Sequence, residues 1–466
     1  MAAIGALAAD RFEAEIVGLD ESGAGVAEVA DGGESLLLHV TGALPGERIA
    51  GRITFRSVHV KSARREAWAD LEALVRSSPN RVTPECPAQG KCGGCAIMHL
   101  SYQAQLAWKR TRVCEEFAKH PTLASVEVAP CVPSPATFGY RNQAKYIYAR
   151  CQDGDVGDVV LGAYAPRSHD VVDLAGCRVV EPILDQAREV LLGVLRACAV
   201  EPFHEVRRTG TLRYAILRAN RDGRVLATLV AASAEWDRAQ SVAEDFACKL
   251  PALAGVVLNV NPAAGNALLG GEEHLLVGQP SIDDEMGDVR VRLAARSFFQ
   301  ANREVGSRIY RDLVAGLRGD FHRAVDAYAG AGGIALSLVA RAKEVVAVEA
   351  NAAATTVALA AWDRPDFCGN RPRVITGDAA AGLAAIDAAD LVVLNPPRKG
   401  CSEAVLAEVR RLSPRSVVYL SCDPRTLARD LAILARAGAT ITRAIPYDMM
   451  PHTPHVETLV TLSLGD

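Results

Sequence analysis

Residues 291–466 alternate short apolar runs with helical stretches, and no other feature restricts the fold of this chain so tightly. Ala324-Val-Asp-Ala-Tyr328 reads as a buried strand running into a glycine turn. A helical stretch follows, then Glu344-Val-Val-Ala-Val-Glu349 as the next strand. Arg373-Val-Ile-Thr376 precedes Gly377-Asp378, and Asp390-Leu-Val-Val-Leu394 precedes Asn395-Pro-Pro-Arg398. A helix over Glu403–Leu412 leads into Ser416-Val-Val-Tyr-Leu-Ser421; a helix over Thr426–Ala437 and strands near 440–446 and 456–463 follow. This order predicts a doubly wound, mainly parallel α/β sheet, whose ligands sit at the carboxyl ends of its strands.

The strand ends carry the chemistry. The first turn contains Gly330-Ala-Gly332-Gly333-Ile-Ala335, which fits the dinucleotide pattern G-x-G-x-x-A. Glu349 ends the next strand, where an acid can hold ribose hydroxyls. Two features favour S-adenosylmethionine over NAD. Asp326 stands just before the turn, where it can face a cationic amino acid moiety, and the Asn395 loop would border a reacting centre. Asp378 is positioned to meet an adenine amino group. Each of these acids alone is an ordinary turn residue; four successive strand ends are a poor fit to that reading.

Cys422 ends a strand in Tyr419-Leu-Ser-Cys-Asp-Pro424, near a helix N-terminus, where a thiol can be exposed with a depressed pKa, the alternative being a buried structural cysteine. Glu457 lies in the Pro-bounded stretch Pro451-His-Thr-Pro-His-Val-Glu-Thr458. A thiolate and a carboxylate together can methylate uracil at carbon-5. That carbon is too weak a nucleophile until a thiolate adds to carbon-6, and a base must then remove its proton.

The remaining sequence is about two further domains, at roughly 150 residues each in a chain of 466. Residues 1–68 read as a small all-β, OB-like barrel, with strands at 12–17, 25–29, 35–40 and 47–55. Residues 69–290 read as a mixed α+β central domain, and 291–466 as the third. The net charge of −4 argues against a polyanionic partner until it is resolved locally. Residues 10–34 hold eight acids and one arginine, whereas 48–65 hold Arg48, Arg52, Arg56, Lys61, Arg64 and Arg65 with no acid. Local cation density governs phosphate binding, so Arg52, Arg56, Lys61 and Arg64 are candidate RNA contacts. In Phe138-Gly-Tyr-Arg-Asn-Gln-Ala-Lys-Tyr-Ile-Tyr148 bases alternate with aromatics. That pattern suits either stacking on unpaired bases, with Arg141 and Lys145 as contacts, or the core face of a strand.

Of 12 cysteines only Cys86-Pro-Ala-Gln-Gly-Lys-Cys92-Gly-Gly-Cys95 cluster. Three thiols in ten residues point to a metal site, with Cys177 in Leu-Ala-Gly-Cys-Arg as the candidate fourth ligand. Spacing leaves zinc and a [4Fe–4S] cluster both open. The N-terminal residues lack a basic signal region, and no run of about 18 apolar residues occurs, so a cytoplasmic protein without a membrane span is expected.

Taken together, Ser421-Cys-Asp-Pro424-x-Thr426-Leu-Ala-Arg429, Asp448-Met-Met-Pro451-His-Thr-x-His455-Val-Glu457 and Ser297-Phe-Phe-Gln300-x-Asn302 resemble the signature segments of S-adenosylmethionine-dependent RNA uracil-5-methyltransferases. The resemblance covers nearly the whole chain. It implies Cys422 as nucleophile, Glu457 as base, and Gln300, the Tyr328–Gly330 turn, Glu349 and Asn395 as contacts of the methyl donor. Cys86, Cys92, Cys95 and Cys177 resemble the [4Fe–4S] ligands of the ribosomal-RNA branch, and residues 8–66 resemble its RNA-binding TRAM barrel. The implied reaction is 5-methyluridine formation in 23S ribosomal RNA by a monomer. The T-loop uridine of transfer RNA is the alternative, and a non-catalytic iron–sulfur RNA-binding protein is the rival from another class. Two positions depart from the family pattern, which usually has Asp at 395 and Asn at 423. An Asn-Pro-Pro loop is typical of amino-group methyltransferases, but those place an aromatic residue where this chain has Arg398.

Overall fold

The computed structural model describes residues 10–57, 65–151, 159–265, 267–363 and 370–464. Lys61 and Arg64 lie outside the described residues. The chain divides into two compact units: one takes the chain up to Trp108 together with Met450–Pro454, the other Lys109–Met449 together with His455–Asp466.

The first unit holds a six-stranded sheet built from β1 (Arg11–Glu15), β2 (Gly18–Leu19), β3 (Gly25–Asp31), β4 (Glu34–Thr41), β5 (Arg48–Arg56) and β6 (Arg65–Arg76), in the order β1-β5-β6-β4-β3-β2. Alternate residues face inward, so Leu36, Leu38 and Val40 of β4 bury against Ala67 and Ala69 of β6. Antiparallel pairing of β1 with β5 brings the acidic and basic stretches together. Arg48 meets Glu13 at 3.2 Å, Arg56 meets Asp31 at 3.2 Å and Arg65 meets Asp31 at 3.1 Å.

A helix, α1 (Tyr102–Ala118), leads into the second unit. There β7 (Gln143–Arg150), β8 (Val159–Tyr164), β9 (Val171–Asp173), β10 (Leu212–Ala219), β11 (Val225–Ala231), β12 (Leu253–Val260) and β13 (Glu272–Gly278) form one mixed sheet. The helices α2 (Pro182–Ala197) and α3 (Ala239–Lys249) pack on it, and a hairpin, β14 (Ser281–Met286) and β15 (Val289–Ala294), follows. Tyr140, Tyr146 and Tyr148 are buried, the last two on the inward face of β7. The period of two along the strand turns these rings into core, so base stacking on them is ruled out. Arg141 is half-buried, its Nε donating to the Gln143 carbonyl at 3.1 Å, and Lys145 is exposed on the outer face.

The last sheet follows α4 (Arg303–Gly316). Its elements are β16 (Phe321–Asp326), α5 (Gly333–Leu338), β17 (Ala342–Glu349), α6 (Ala352–Trp362), β18 (Arg373–Thr376), α7 (Ala379–Ala384), β19 (Leu391–Leu394), α8 (Glu403–Leu412), β20 (Ser416–Ser421), α9 (Pro424–Arg436), β21 (Ala439–Tyr447) and β22 (Glu457–Leu464). The order β18-β17-β16-β19-β20-β22-β21 has five parallel strands and an antiparallel pair, β22 and β21, at one edge. The chain reverses its direction of progress between β16 and β19, and a ligand crevice is expected where those two strands end. No helix among the described residues is long and apolar enough to cross a membrane.

Candidate active site

A narrow cleft opens at that switch point, lined by Gln300, Tyr328, Gly330 and Asn395 among others. The strand β16 ends two residues earlier than its apolar run suggests, which leaves Tyr328 in the turn. The turn is then fixed from below. Asp326 is fully buried, and its Oδ2 accepts from the Ala335 amide at 3.0 Å, whereas Oδ1 has no hydrogen-bond partner. Burial, with Glu349 adding to it, pushes the Asp326 carboxyl up to about 7. Gly332 has φ of +81°, and a Cβ there would collide with the indole of Trp362, so only glycine fits. Glu349 ends β17 with Oε2 accepting from the Gly330 amide at 2.8 Å and Oε1 from the Asn351 amide at 2.8 Å. Asp378 is exposed and caps α7, accepting from the Ala380 amide at 2.9 Å. Gln300 is buried, its backbone carbonyl held by the Asn142 side chain at 2.9 Å. Asn395 is half-buried on the opposite wall.

Beside the cleft, β20 pairs antiparallel with β22 in a register that sets Ser421 opposite Thr458. Cys422 and Glu457 each adjoin that last pair, and the Glu457 charge acts on the Cys422 thiol. Both are neutral at rest. Burial pushes the Glu457 carboxyl up to about 8 against the pull of Arg398. Burial also pushes the Cys422 thiol up to about 11, with Glu457 adding to the rise and Arg398 opposing it. The depressed thiol expected from the helix N-terminus is therefore not found. Burial is the main reason, and Asp423 adds a smaller one: it caps α9, its Oδ1 accepting from the amides of Arg425 at 2.9 Å and Thr426 at 3.2 Å. The capping carboxylate engages the donors that would otherwise face a thiolate and adds its own negative charge beside Cys422.

Arg398, which the sequence reading treated only as a missing aromatic, is the cation of the site. Its Nη2 lies 3.4 Å from His455 Nε2. Burial, then Arg398, lowers the His455 imidazole to about 4. The loop that carries Arg398 is tied to α9. Thr426 Oγ1 donates to the Arg398 carbonyl at 3.0 Å, and Arg429 Nη2 donates to the carbonyls of Lys399 at 3.0 Å and Cys401 at 3.1 Å. Asp430, fully buried, accepts from the Cys401 amide at 2.7 Å and the Tyr419 hydroxyl at 2.6 Å. The Tyr328 hydroxyl reaches Cys401 Sγ at 3.8 Å, so the cleft turn and the Arg398 loop share one hydrogen-bonded frame. Thr426, Arg429 and Asp430 stand at helical spacing after Cys422, a pattern from which this shared face could have been read.

Cys86, Cys92 and Cys95 lie half-buried in a turn-rich loop of the first unit, where the Gly94 amide donates to Cys92 Sγ at 3.4 Å. Cys177 is half-buried in the second unit, its amide bonded to the Leu174 carbonyl at 3.2 Å. Among the described residues no three His, Cys, Asp or Glu side chains are gathered into a metal-holding group. Three thiols in one short loop remain a donor set chemically suited to iron or zinc. Of the candidate phosphate contacts, Arg52 is exposed, 3.4 Å from Glu72, and Arg56 is engaged by Asp31.

Residues 383–464 match the family model described as tRNA (Uracil-5-)-methyltransferase. A Geobacter sulfurreducens protein named as an uncharacterized RNA methyltransferase is 36% identical, covering 97% of this chain and 90% of that protein. One of the same name from Halalkalibacterium halodurans is 32% identical over 98% of this chain and 97% of its own length. Among solved structures, the Pyrococcus abyssi tRNA (uracil-54, C5)-methyltransferase in complex with S-adenosyl-L-homocysteine aligns with a TM-score of 0.75. It is 25% identical, and the alignment covers 97% of this chain and all of that one.

Proposed function

This chain belongs to the S-adenosylmethionine-dependent RNA uracil-5-methyltransferase family, and from that premise we propose that it methylates carbon-5 of a uridine in 23S ribosomal RNA. The observation that carries this reading is the placement of Cys422, next after the end of β20, and Glu457, at the start of the adjacent β22, close enough for Glu457 to act on the thiol and for Arg398 to act on both.

The donor supplies an electrophilic methyl group; the chain does the rest. The residues Gln300, Tyr328, Gly330 and Asn395 of the cleft would hold it, Glu349 would accept from its ribose hydroxyls, and Asp378 would meet its adenine amino group. Asp326 shapes the turn and offers one unpartnered oxygen. The cleft's donor set is mixed polar and apolar, as an adenosine bearing a charged tail requires. Cys422 and Glu457 release their protons to solvent, and the Cys422 sulfur bonds to carbon-6 of the uracil. The ring's electron pair moves to carbon-5 and the carbonyl oxygen. Once carbon-5 has taken the methyl group, Glu457 as carboxylate removes the proton still on that carbon. The carbon–sulfur bond then breaks and Cys422 leaves as thiolate. Arg398 favours both anions, the thiolate and the carboxylate, because its charge opposes the effect of burial at each. The target base must be unpaired or flipped to reach Cys422.

Under this reading residues 1–68 serve as a TRAM-type RNA-binding barrel, 69–290 as a central domain, and 291–466 as the methyltransferase domain. Cys86, Cys92, Cys95 and Cys177 hold a [4Fe–4S] cluster, supported by the chemistry of the donor set; no catalytic step depends on it. Iron and sulfide analysis of anaerobically purified protein tests that assignment against zinc. The second reading, the T-loop uridine of transfer RNA, is favoured by the activity of the Pyrococcus abyssi neighbour. Mapping 5-methyluridine in ribosomal and transfer RNA from a strain lacking the protein decides between the two. For the chemistry, RNA carrying 5-fluorouridine forms a denaturation-resistant adduct with the wild type and none with Cys422→Ala. Undiminished turnover by Cys422→Ala would instead support methylation of an amino group.

A further inference from the structure

The six-stranded sheet of the first unit carries a row of rings that contributes nothing to its core. On β4 and β6 the inward positions are Leu38, Val40, Ala67 and Ala69, which puts His39 and Trp68 on the opposite face. The strand registers set His39 opposite Trp68 and Phe55 opposite Trp68, so the three side chains run in line across β4, β6 and β5. His39 and Trp68 are stacked, with centroids 5.0 Å apart and planes 15° from parallel. Phe55 follows at 5.6 Å and 46°. The inner end is fixed, since Asp20 Oδ2 lies 2.6 Å from His39 Nδ1. The outer end is open: Phe55 is 57% exposed.

We propose that this row is a stacking platform for unpaired bases of the RNA substrate, an inference that rests on the RNA reading above. The stacked His39, its side chain only 12% exposed, and Trp68 back the row, and Phe55 at its open end can take a base on its free π-face, whereas an aliphatic patch would suit a protein partner better. The nearby arginines supply less phosphate binding than their density in the sequence suggests. Arg52 lies 3.4 Å from Glu72, Arg56 lies 3.2 Å from Asp31, and Arg65 lies 3.1 Å from Asp31. Recognition on this face is therefore by stacking, with little counterion release.

The full-length protein is titrated with a twelve-residue oligouridylate and, separately, with an RNA duplex of equal length, following tryptophan fluorescence. Trp68→Phe identifies the signal of Trp68 among the four tryptophans. Binding of the single strand should quench Trp68, and Phe55→Ala should weaken it by about 5- to 150-fold, the equivalent of ~1–3 kcal/mol of stacking per base. The salt dependence should be shallower than a log–log slope of about −1.5, the value for two phosphate contacts on a single strand. Phe55→Ala should raise KM for RNA and leave kcat unchanged. Single-strand binding that survives Phe55→Ala overturns the proposal. So does a steep salt slope that Arg52→Glu removes, which would return the surface to phosphate binding. Self-association that Phe55→Ala abolishes would make the row a contact between copies and overturn it equally. Oligouridylate binding is read without methyl transfer, so loss of the uracil-5 assignment alone would leave the platform standing.

Discussion

Replacing Glu457 by Gln should abolish turnover and at the same time stabilise the protein. The folded chain holds the Glu457 proton up to about pH 8, against an ordinary value of 4.5. At pH 7 the unfolded chain has released that proton, so folding must take it up again. The cost is about 1.36 kcal/mol for each of the roughly two and a half pH units between 4.5 and 7, or about 3 kcal/mol. Because the folded pKa is the higher one, stability is fully present below pH 4.5 and falls as pH rises through the window to about 8. Above that the loss is constant, at about 5 kcal/mol. Gln is nearly isosteric and carries no titratable proton, so Glu457→Gln should match the wild type near pH 4.5 and exceed it increasingly above. Urea denaturation of both proteins at pH 5, 7 and 8.5 reads the difference directly. Equal pH dependence in the two proteins, or a variant less stable at pH 7, would refute the claim that burial outweighs the pull of Arg398 at this carboxyl. Activity runs the other way: the base works as a carboxylate, so wild-type kcat should climb toward pH 8 while stability declines.

Arg398→Ala removes the charge that opposes burial at both Cys422 and Glu457. The rising limb of the pH–rate profile should move to higher pH, lowering turnover at neutral pH by about tenfold per unit of displacement; an unmoved limb would exclude Arg398 from the electrostatics of the site. Lys109 and Asp448 form a fully buried ion pair in the second unit. Lys109→Met should therefore cost about 3–5 kcal/mol in the urea midpoint by stranding the carboxylate, and the double variant Lys109→Met/Asp448→Leu should recover most of it.

What was legible in the sequence follows the range of the interactions involved. The α/β alternation of the last 176 residues needs only local periodicity, and each strand from β16 to β22 lies within a few residues of its apolar run. Tyr140, Tyr146 and Tyr148 were undecidable because aromatics spaced along a strand look the same whether the face they share meets core or solvent. Which face is buried depends on α2 and β10, far along the chain. The charge pattern failed for a similar reason. A run of eight acids followed by six bases reads as segregated charge, yet the registers of β1 with β5 and of β4 with β6 lay one on the other. Arg398 escaped because its partners, Cys422 and Glu457, are contributed by two later strands.

The thiol shows most clearly why a motif does not fix a chemical state. A cysteine before a helix reads as activated, because free amides at the helix N-terminus favour a thiolate. In this chain the next residue is Asp423, and the same feature that ends the strand and starts α9 also consumes those amides and adds an anion. Burial does the larger part, pushing Cys422 up to about 11 and Glu457 up to about 8, and Asp423 adds a smaller rise at the thiol. A resting enzyme with neither group ionised is protected from oxidation and from stray alkylation, since the thiolate is the reactive form. Activation then has to come with the substrate. Arg398 is the group able to couple the two events, because it is the one cation among the stated influences on both. Closing RNA over an exposed guanidinium strips it of water and strengthens its pull on each anion. The exposed setting of Arg398, beside a neutral His455 rather than a carboxylate, leaves that pull available for the moment the RNA arrives.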